Sequence, residues 1–111
     1  MVKNGEEEKV KRILTDPKLA PIKTMLEKDH AIDCILLLHV SRGKWKEAKE
    51  FMHDNGLTLS DGTFRSRMIE IEENGLAKSE RIDPLKKYYL KTEFGEKMAN
   101  LLLKLFDELD R

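Results

Sequence analysis

A mainly helical domain with one small β-hairpin, an α+β arrangement, is the fold class that the sequence predicts, on three observations. Apolar residues recur at the 3.6-residue helical rhythm through most of the chain. A proline turn, Asp83-Pro84, divides two short runs of extended character. A helix-length stretch opens on Ser60 and closes on Asn74-Gly75, and the rest of the chain is ordered around it. At 111 residues the chain, 1–111, makes one domain with enough core to fold unaided.

Taken in order, residues 1–8 are polar and expected to fray. Val10, Ile13 and Leu14 mark one face of a short helix. Asp16-Pro17 interrupts it, because proline pushes the preceding residue out of the α region. Pro21 belongs in the first turn of the next helix, where its missing N–H costs nothing. That helix carries Ile22, Met25 and Leu26 and ends near Lys28. From about residue 30 to residue 40 apolar side chains fall nearly all around, so this helix is buried on several sides and is the central one. Arg42-Gly43 ends it. Trp45, Ala48, Phe51 and Met52 form the stripe of the following helix, which Asn55-Gly56 stops. Residues 57–59 lead to the Ser60 cap, giving a helix-turn-helix with a connection longer than the minimal one. Residues 76–82 read as a strand, 83–86 as a turn and 87–91 as the returning strand. Thr92 caps a last helix through Leu109.

Composition narrows the function classes. Basic and acidic residues number 21 each, so no global field draws the chain to nucleic acid. That argues against a non-specific DNA packer and leaves open a sequence-specific binder, which needs only a local basic face. A single cysteine, Cys34, excludes a disulfide within one chain and suits a reducing cytoplasm. No stretch approaches the ~18–20 apolar residues of a membrane span, and no signal peptide is visible, so no membrane partner is expected. The sequence holds no glycine-rich phosphate loop, nucleophile elbow or Cys–His pairing, so neither enzymatic activity nor a cofactor is expected. The clusters Glu6-Glu7-Glu8 and Glu72-Glu73 read as solvated faces. His30 and Cys34 lie one helical turn apart, a spacing that can seat two metal ligands. Yet no second cysteine completes a set, so Cys34 reads as a small buried hydrophobe and no metal is expected. His30 reads either as an exposed cap residue or as part of a dimer groove.

The central stretch has its own chemistry. Ser60 is a good N-cap, since its hydroxyl satisfies a free N–H of the first turn. Gly75 takes the left-handed conformation that closes a helix. Phe64, Met68 and Ile71 make one apolar stripe, so Gly62, Thr63, Arg65, Ser66 and Ile69 point elsewhere at about 100° per residue. Small residues on the outer face permit close approach, and Glu70, Glu72 and Glu73 gather at the far end. A recognition helix whose N-terminal half enters a DNA major groove has this layout. So does many a surface helix with a Ser cap and a Gly stop.

The order of elements sharpens the reading. The segment Ser60-x-x-Thr63-Phe64-x-x-x-Met68-x-x-Ile71-Glu72-x-x-Gly75-Leu76 is followed by Tyr89-x-x-Thr92-x-x-Gly95. Together, over about residues 30–109, they resemble the winged helix-turn-helix transcriptional regulators of the MarR, PadR and HxlR kind. In those families the first segment is the recognition helix, and the second ends the wing and starts the dimerisation helix. The chain departs from them at Lys91, where leucine often precedes the threonine; here Leu90 stands one place earlier. The resemblance implies a winged helix core over 30–91, with flanking dimerisation helices at 9–28 and 92–109.

It also implies where DNA contacts fall: recognition helix, wing and the start of the preceding helix. Those places hold Thr63, Arg65, Ser66, Arg67 and Ile69, then Lys78, Arg81, Lys86 and Lys87, then Lys44 and Lys46. Arg65 can donate two hydrogen bonds to a guanine edge, and Ile69 can pack on a thymine methyl. Arg67, nearer the core edge, is expected on phosphate. For the dimer, the closing helix offers the rows Met98-Leu101-Leu105 and Leu102-Phe106-Leu109. One row covers its own domain and the other needs a partner, with Ile13, Leu14, Ile22 and Leu26 as the complement. The expected protein is therefore a cytoplasmic homodimer that binds double-stranded DNA and represses transcription. The alternative is a winged helix used as a protein–protein module in a transcription or replication assembly. A ligand-gated regulator would add an effector pocket beside the central helix, which no polar cluster demands.

Overall fold

The computed structural model describes residues 4–41, 45–83 and 86–110. In chain order the elements are α1 (Asn4–Thr15), α2 (Ala20–Leu26), α3 (Ala31–Ser41), α4 (Trp45–Asp54), α5 (Asp61–Glu73), β1 (Ala77–Asp83), β2 (Lys86–Lys91) and α6 (Glu93–Leu109). Helix α1 begins at Asn4, inside the polar residues 1–8 expected to fray and before the expected start at residue 9. Glu6 and Glu7 in its first turn suit the positive end of the helix dipole. Asp16 turns the chain after it, accepting from the Lys18 N–H at 2.9 Å. Pro21 lies in the first turn of α2 as expected. The expected stop at Arg42-Gly43, the Pro84-Leu85 turn, Lys44, and the side chains of Trp45, Lys86 and Lys87 lie outside the described residues.

Helix α3 is the hub, with α2, α4, α5, α6 and β2 all packed on it. Its buried residues, Ala31, Cys34, Ile35, Leu37, Leu38 and Ser41, face the core, and Ile32 and Leu36 pack partly against it. Burial is not all-round, since Val40 and Asp33 on the remaining side are open. Around them close Met25, Ala48, Met52, Phe64, Met68, Ile71, Leu76, Ala99 and Leu102. Cys34 is fully buried, and its thiol is pushed up to about 12, first by desolvation and then by Asp33. It stays a neutral core thiol at physiological pH.

The hairpin is a two-stranded antiparallel ladder running from Ala77 opposite Lys91 to Asp83 opposite Lys86, with an irregularity between Arg81 and Asp83. Its root joins the two halves of the sequence motif. Gly75, at φ 82°, ends α5 in the left-handed region. The Thr92 hydroxyl donates to the Gly75 carbonyl at 2.6 Å and accepts from the Gly95 N–H at 3.0 Å, capping α6. The Thr92 N–H reaches the Leu76 carbonyl at 3.1 Å. At Gly95 the two segments touch backbone to backbone, since a Cβ there would overlap the Leu76 carbonyl oxygen. The glycine is required by that close approach. At Lys91, next to Leu90, the ammonium donates to His39 Nδ1 on α3 at 2.9 Å, a polar tie between the hairpin and the central helix.

Two expected apolar faces divide differently. In α6 the inward row is Gly95, Ala99 and Leu102, with Met98 partly buried against the core. Leu102 is thus a core residue of its own chain, not an interface candidate, because it falls on the same face as Ala99 and Gly95. Leu101, Leu105, Phe106 and Leu109 are exposed, and beyond Leu102 every residue of the helix is open. Ile22 and Leu26 likewise pack on the core, whereas Ile13 and Leu14 do not. In α4, Ala48 and Met52 face inward and Phe51 turns out. Phe51, Leu57, Leu59, Leu36, Val40 and Leu103 help to wall an open apolar groove of about 490 Å³ with His30 and Asp33 among its lining.

Candidate nucleic-acid interface

Helix α5 is built as its sequence suggests. Ser60 stands outside the helix in extended conformation, and its hydroxyl oxygen accepts from the Thr63 N–H at 3.1 Å. The same hydroxyl donates to Thr63 Oγ1 at 2.9 Å, which fixes the Thr63 side chain beside the cap. Phe64, Met68 and Ile71 are buried, and this stripe docks α5 on α3. Outside the stripe lie Gly62, Arg65, Ser66 and Ile69, with Ile69 44% exposed, and the exposed carboxylates Asp61 and Glu73 stand at the two ends. No hydrogen bond or ion pair within the described residues holds Arg65. An open guanidinium and an open isoleucine on one short helix offer a bidentate donor and a methyl-sized apolar contact.

Arg67 behaves differently. Its position on the helix lies beside the stripe, and only 14% of its side chain is exposed. Nη1 donates to the Asp29 carbonyl at 3.2 Å and Nη2 to Glu70 Oε2 at 3.2 Å. Nε lies 2.9 Å from Glu70 Oε1 in an ion contact too bent to count as a hydrogen bond. Lys28 approaches the same carboxylate at 4.0 Å. The Arg67–Glu70 spacing, three residues on one helix, is itself an ion-pair signal in the sequence.

The far end of α5 is not the free carboxylate face expected. Glu72 Oε2 accepts from the Ser79 N–H at 3.0 Å and the Ser79 hydroxyl at 2.8 Å, so α5 is tied to the first strand of the hairpin. No periodicity points to this bond, because it pairs a helix with a strand across the Gly75 turn. Among the other basic candidates, Lys46 at the start of α4 is exposed, as are Lys78 and Arg81 on β1. Lys78 lies 4.0 Å from Glu80, a surface pair of small worth. His30 adopts φ 64°, the one positive φ outside glycine among the described residues, and its Nδ1 lies 2.9 Å from Asp33 Oδ2.

Compared with known proteins, the fold is similar to a crystal structure of MarR, with a TM-score of 0.58. The match covers 99% of this chain and 79% of that one, at 22% sequence identity. No family model matches the chain, and no curated protein matches it. The architecture is a winged helix, mainly α with a small β-hairpin, as the order of its sequence motifs predicts.

Proposed function

We propose that this chain is a sequence-specific, double-stranded DNA-binding transcription regulator that acts as a homodimer and represses by occupying promoter DNA. One observation carries the reading: α5 is fixed by its cap and apolar stripe while Arg65, Ser66, Gly62 and Ile69 are left open. Arg65 reads a base edge, Ser66 and Thr63 stand beside it, and Ile69 offers apolar contact. Lys46, Lys78, Arg81 and the hairpin lysines 86 and 87 supply phosphate contacts that orient the protein and carry little sequence information. No helix among the described residues is long and apolar enough to cross a membrane.

Dimerisation rests on the helices that find no cover at home. Residues 5–15 of α1 are all exposed, Val10, Ile13 and Leu14 included. A 12-residue helix with its apolar side chains left open is marginal in water, and the Lys23 ammonium of α2 ties to it by donating to the Ile13 carbonyl at 2.9 Å. The open leucines of α6 are its natural complement in a second copy.

The test is Arg65→Ala against the best duplex from an enrichment and against a scrambled one, with melting curves as control. Arg65→Ala should cost about 1–3 kcal/mol on the preferred site and relax the choice at one base position. Equal losses on both duplexes make Arg65 a phosphate contact. No loss on either removes α5 from the DNA interface. Zero net charge and the open Ile69 suit the second reading, a protein–protein module. Affinity for duplex DNA that falls steeply with salt separates the two, since phosphate contacts release counterions.

A further inference from the structure

We propose that Arg67 is the positioning residue of the recognition helix: it sets the pose of α5 and does not touch the nucleic acid. This rests on the DNA-binding reading above and reassigns one of its basic residues. Arg65 and Arg67 are two residues apart, hence about 200° apart around the helix, so one helix pose does not offer both to the same groove. Arg65 is exposed and unheld within the described residues, whereas Arg67 is 14% exposed and spends its guanidinium on protein. Nη1 holds the Asp29 carbonyl, in the turn between α2 and α3, and Nη2 donates to Glu70, whose other oxygen lies in ion contact with Nε. A planar, forked cation can donate to a carbonyl and to a carboxylate in these two directions at once, which an ammonium does not match.

The place that it grips also has a use. Asp29 directly precedes His30, whose φ of 64° is a conformation that a non-glycine residue keeps only when its surroundings hold it there. Arg67 fastens that turn to the middle of α5, while Glu72 fastens the end of α5 to Ser79 on β1. These ties hold the middle and the end of the helix outside its apolar stripe, and an exposed Lys49–Asp61 pair at 3.9 Å lies at its start. Tilt and roll about that stripe are the freedoms that these ties remove, and they decide whether Arg65 reaches a base edge.

The test uses the full chain and its best duplex, titrated at several salt concentrations, with wild type, Arg67→Ala, Arg67→Lys, Glu70→Ala and the Arg67→Ala/Glu70→Ala pair. A positioning role predicts a loss of about tenfold for Arg67→Ala on the preferred duplex, with the slope of log affinity against log salt unchanged. Arg67→Lys keeps the charge but not the fork, so it should lose nearly as much. Glu70→Ala should also lose affinity, although it removes a negative charge, and the double variant should lose no more than the worse single one. A phosphate contact predicts the reverse pattern. There the slope of Arg67→Ala drops by about 0.9, lysine substitutes well, and Glu70→Ala binds as tightly as wild type or tighter. That pattern overturns the proposal, as does unchanged affinity in every variant. If wild type itself binds no duplex, the DNA reading fails and the positioning role falls with it. Should Arg67→Ala melt below the assay temperature, Arg67→Lys and Glu70→Ala still decide between the two patterns.

Discussion

Gly95 is the residue at which sequence pattern and packing meet most directly. A methyl group there would press on the Leu76 carbonyl, and backbone on both sides leaves no flexible end to yield. Gly95→Ala should therefore destabilise the fold by about 1–3 kcal/mol or more, lowering the melting temperature by roughly 5–15 °C. A thermal scan of a variant with unchanged melting would show that α6 can stand off from Leu76 at no cost. Cys34 makes a second residue-scale test. Its folded pKa, about 12, is raised above the ordinary 9.0, so the stability from keeping it neutral is complete below pH 9.0 and is lost as pH climbs toward 12. Cys34→Ala should flatten the fall of stability between pH 9 and pH 11 relative to wild type, read by denaturant melts. The Ser60 and Thr92 caps, the Gly75 stop and the Phe64-Met68-Ile71 stripe were all legible in the sequence, because each is a local rule. Arg67 was legible only to its position beside the stripe. Its partner, the Asp29 carbonyl, is a backbone atom 38 residues away, and no local rule reaches that far.

At the scale of elements, helix order, hairpin and central helix follow from periodicity and turn chemistry. The division of faces does not. In α6 the apolar residues are so dense that two rows compete for the core, and the winner is set by the small residues Gly95 and Ala99, which let the helix approach Leu76 and α3. Small residues, not large ones, were the signal for the inward face. The hairpin is positioned by Glu72 and Thr92 at its root, and it carries Lys86 and Lys87 at the start of its second strand. On the DNA reading these lysines contact phosphate. Replacing both with alanine should weaken binding to every duplex alike and flatten the salt slope by up to about two units. Competition binding at two salt concentrations checks it; a variant that keeps full affinity on all duplexes would assign the hairpin another partner.

The whole molecule is longer than its residue count requires. A compact chain of this length has a radius of gyration of about 13 Å, whereas this one has 16.0 Å and spans 56 × 34 × 22 Å. Two elements carry apolar side chains yet cover no core: α1 with Val10, Ile13 and Leu14, and the distal part of α6 with Leu105, Phe106 and Leu109. Exposed apolar rows on two helices are costly to a monomer, and burying them against their counterparts removes the cost, at about 25 cal/mol for each Å² covered. The variant that tests this must spare the core. Leu102→Glu would not, since Leu102 is 8% exposed within its own chain and a charge there would unfold the domain. Leu105→Glu with Leu109→Glu places two charges one helical turn apart on the open face and leaves Leu102 and Ala99 in place. Light scattering at micromolar concentration should show wild type as a dimer and the double variant as a monomer with native helical content. The double variant should also bind a two-half-site duplex far more weakly than wild type, because two half-sites read by linked subunits bind with the advantage of effective concentration. A wild type that scatters as a monomer would leave α1 and distal α6 to another partner; a double variant that remains dimeric would move the interface elsewhere on the surface.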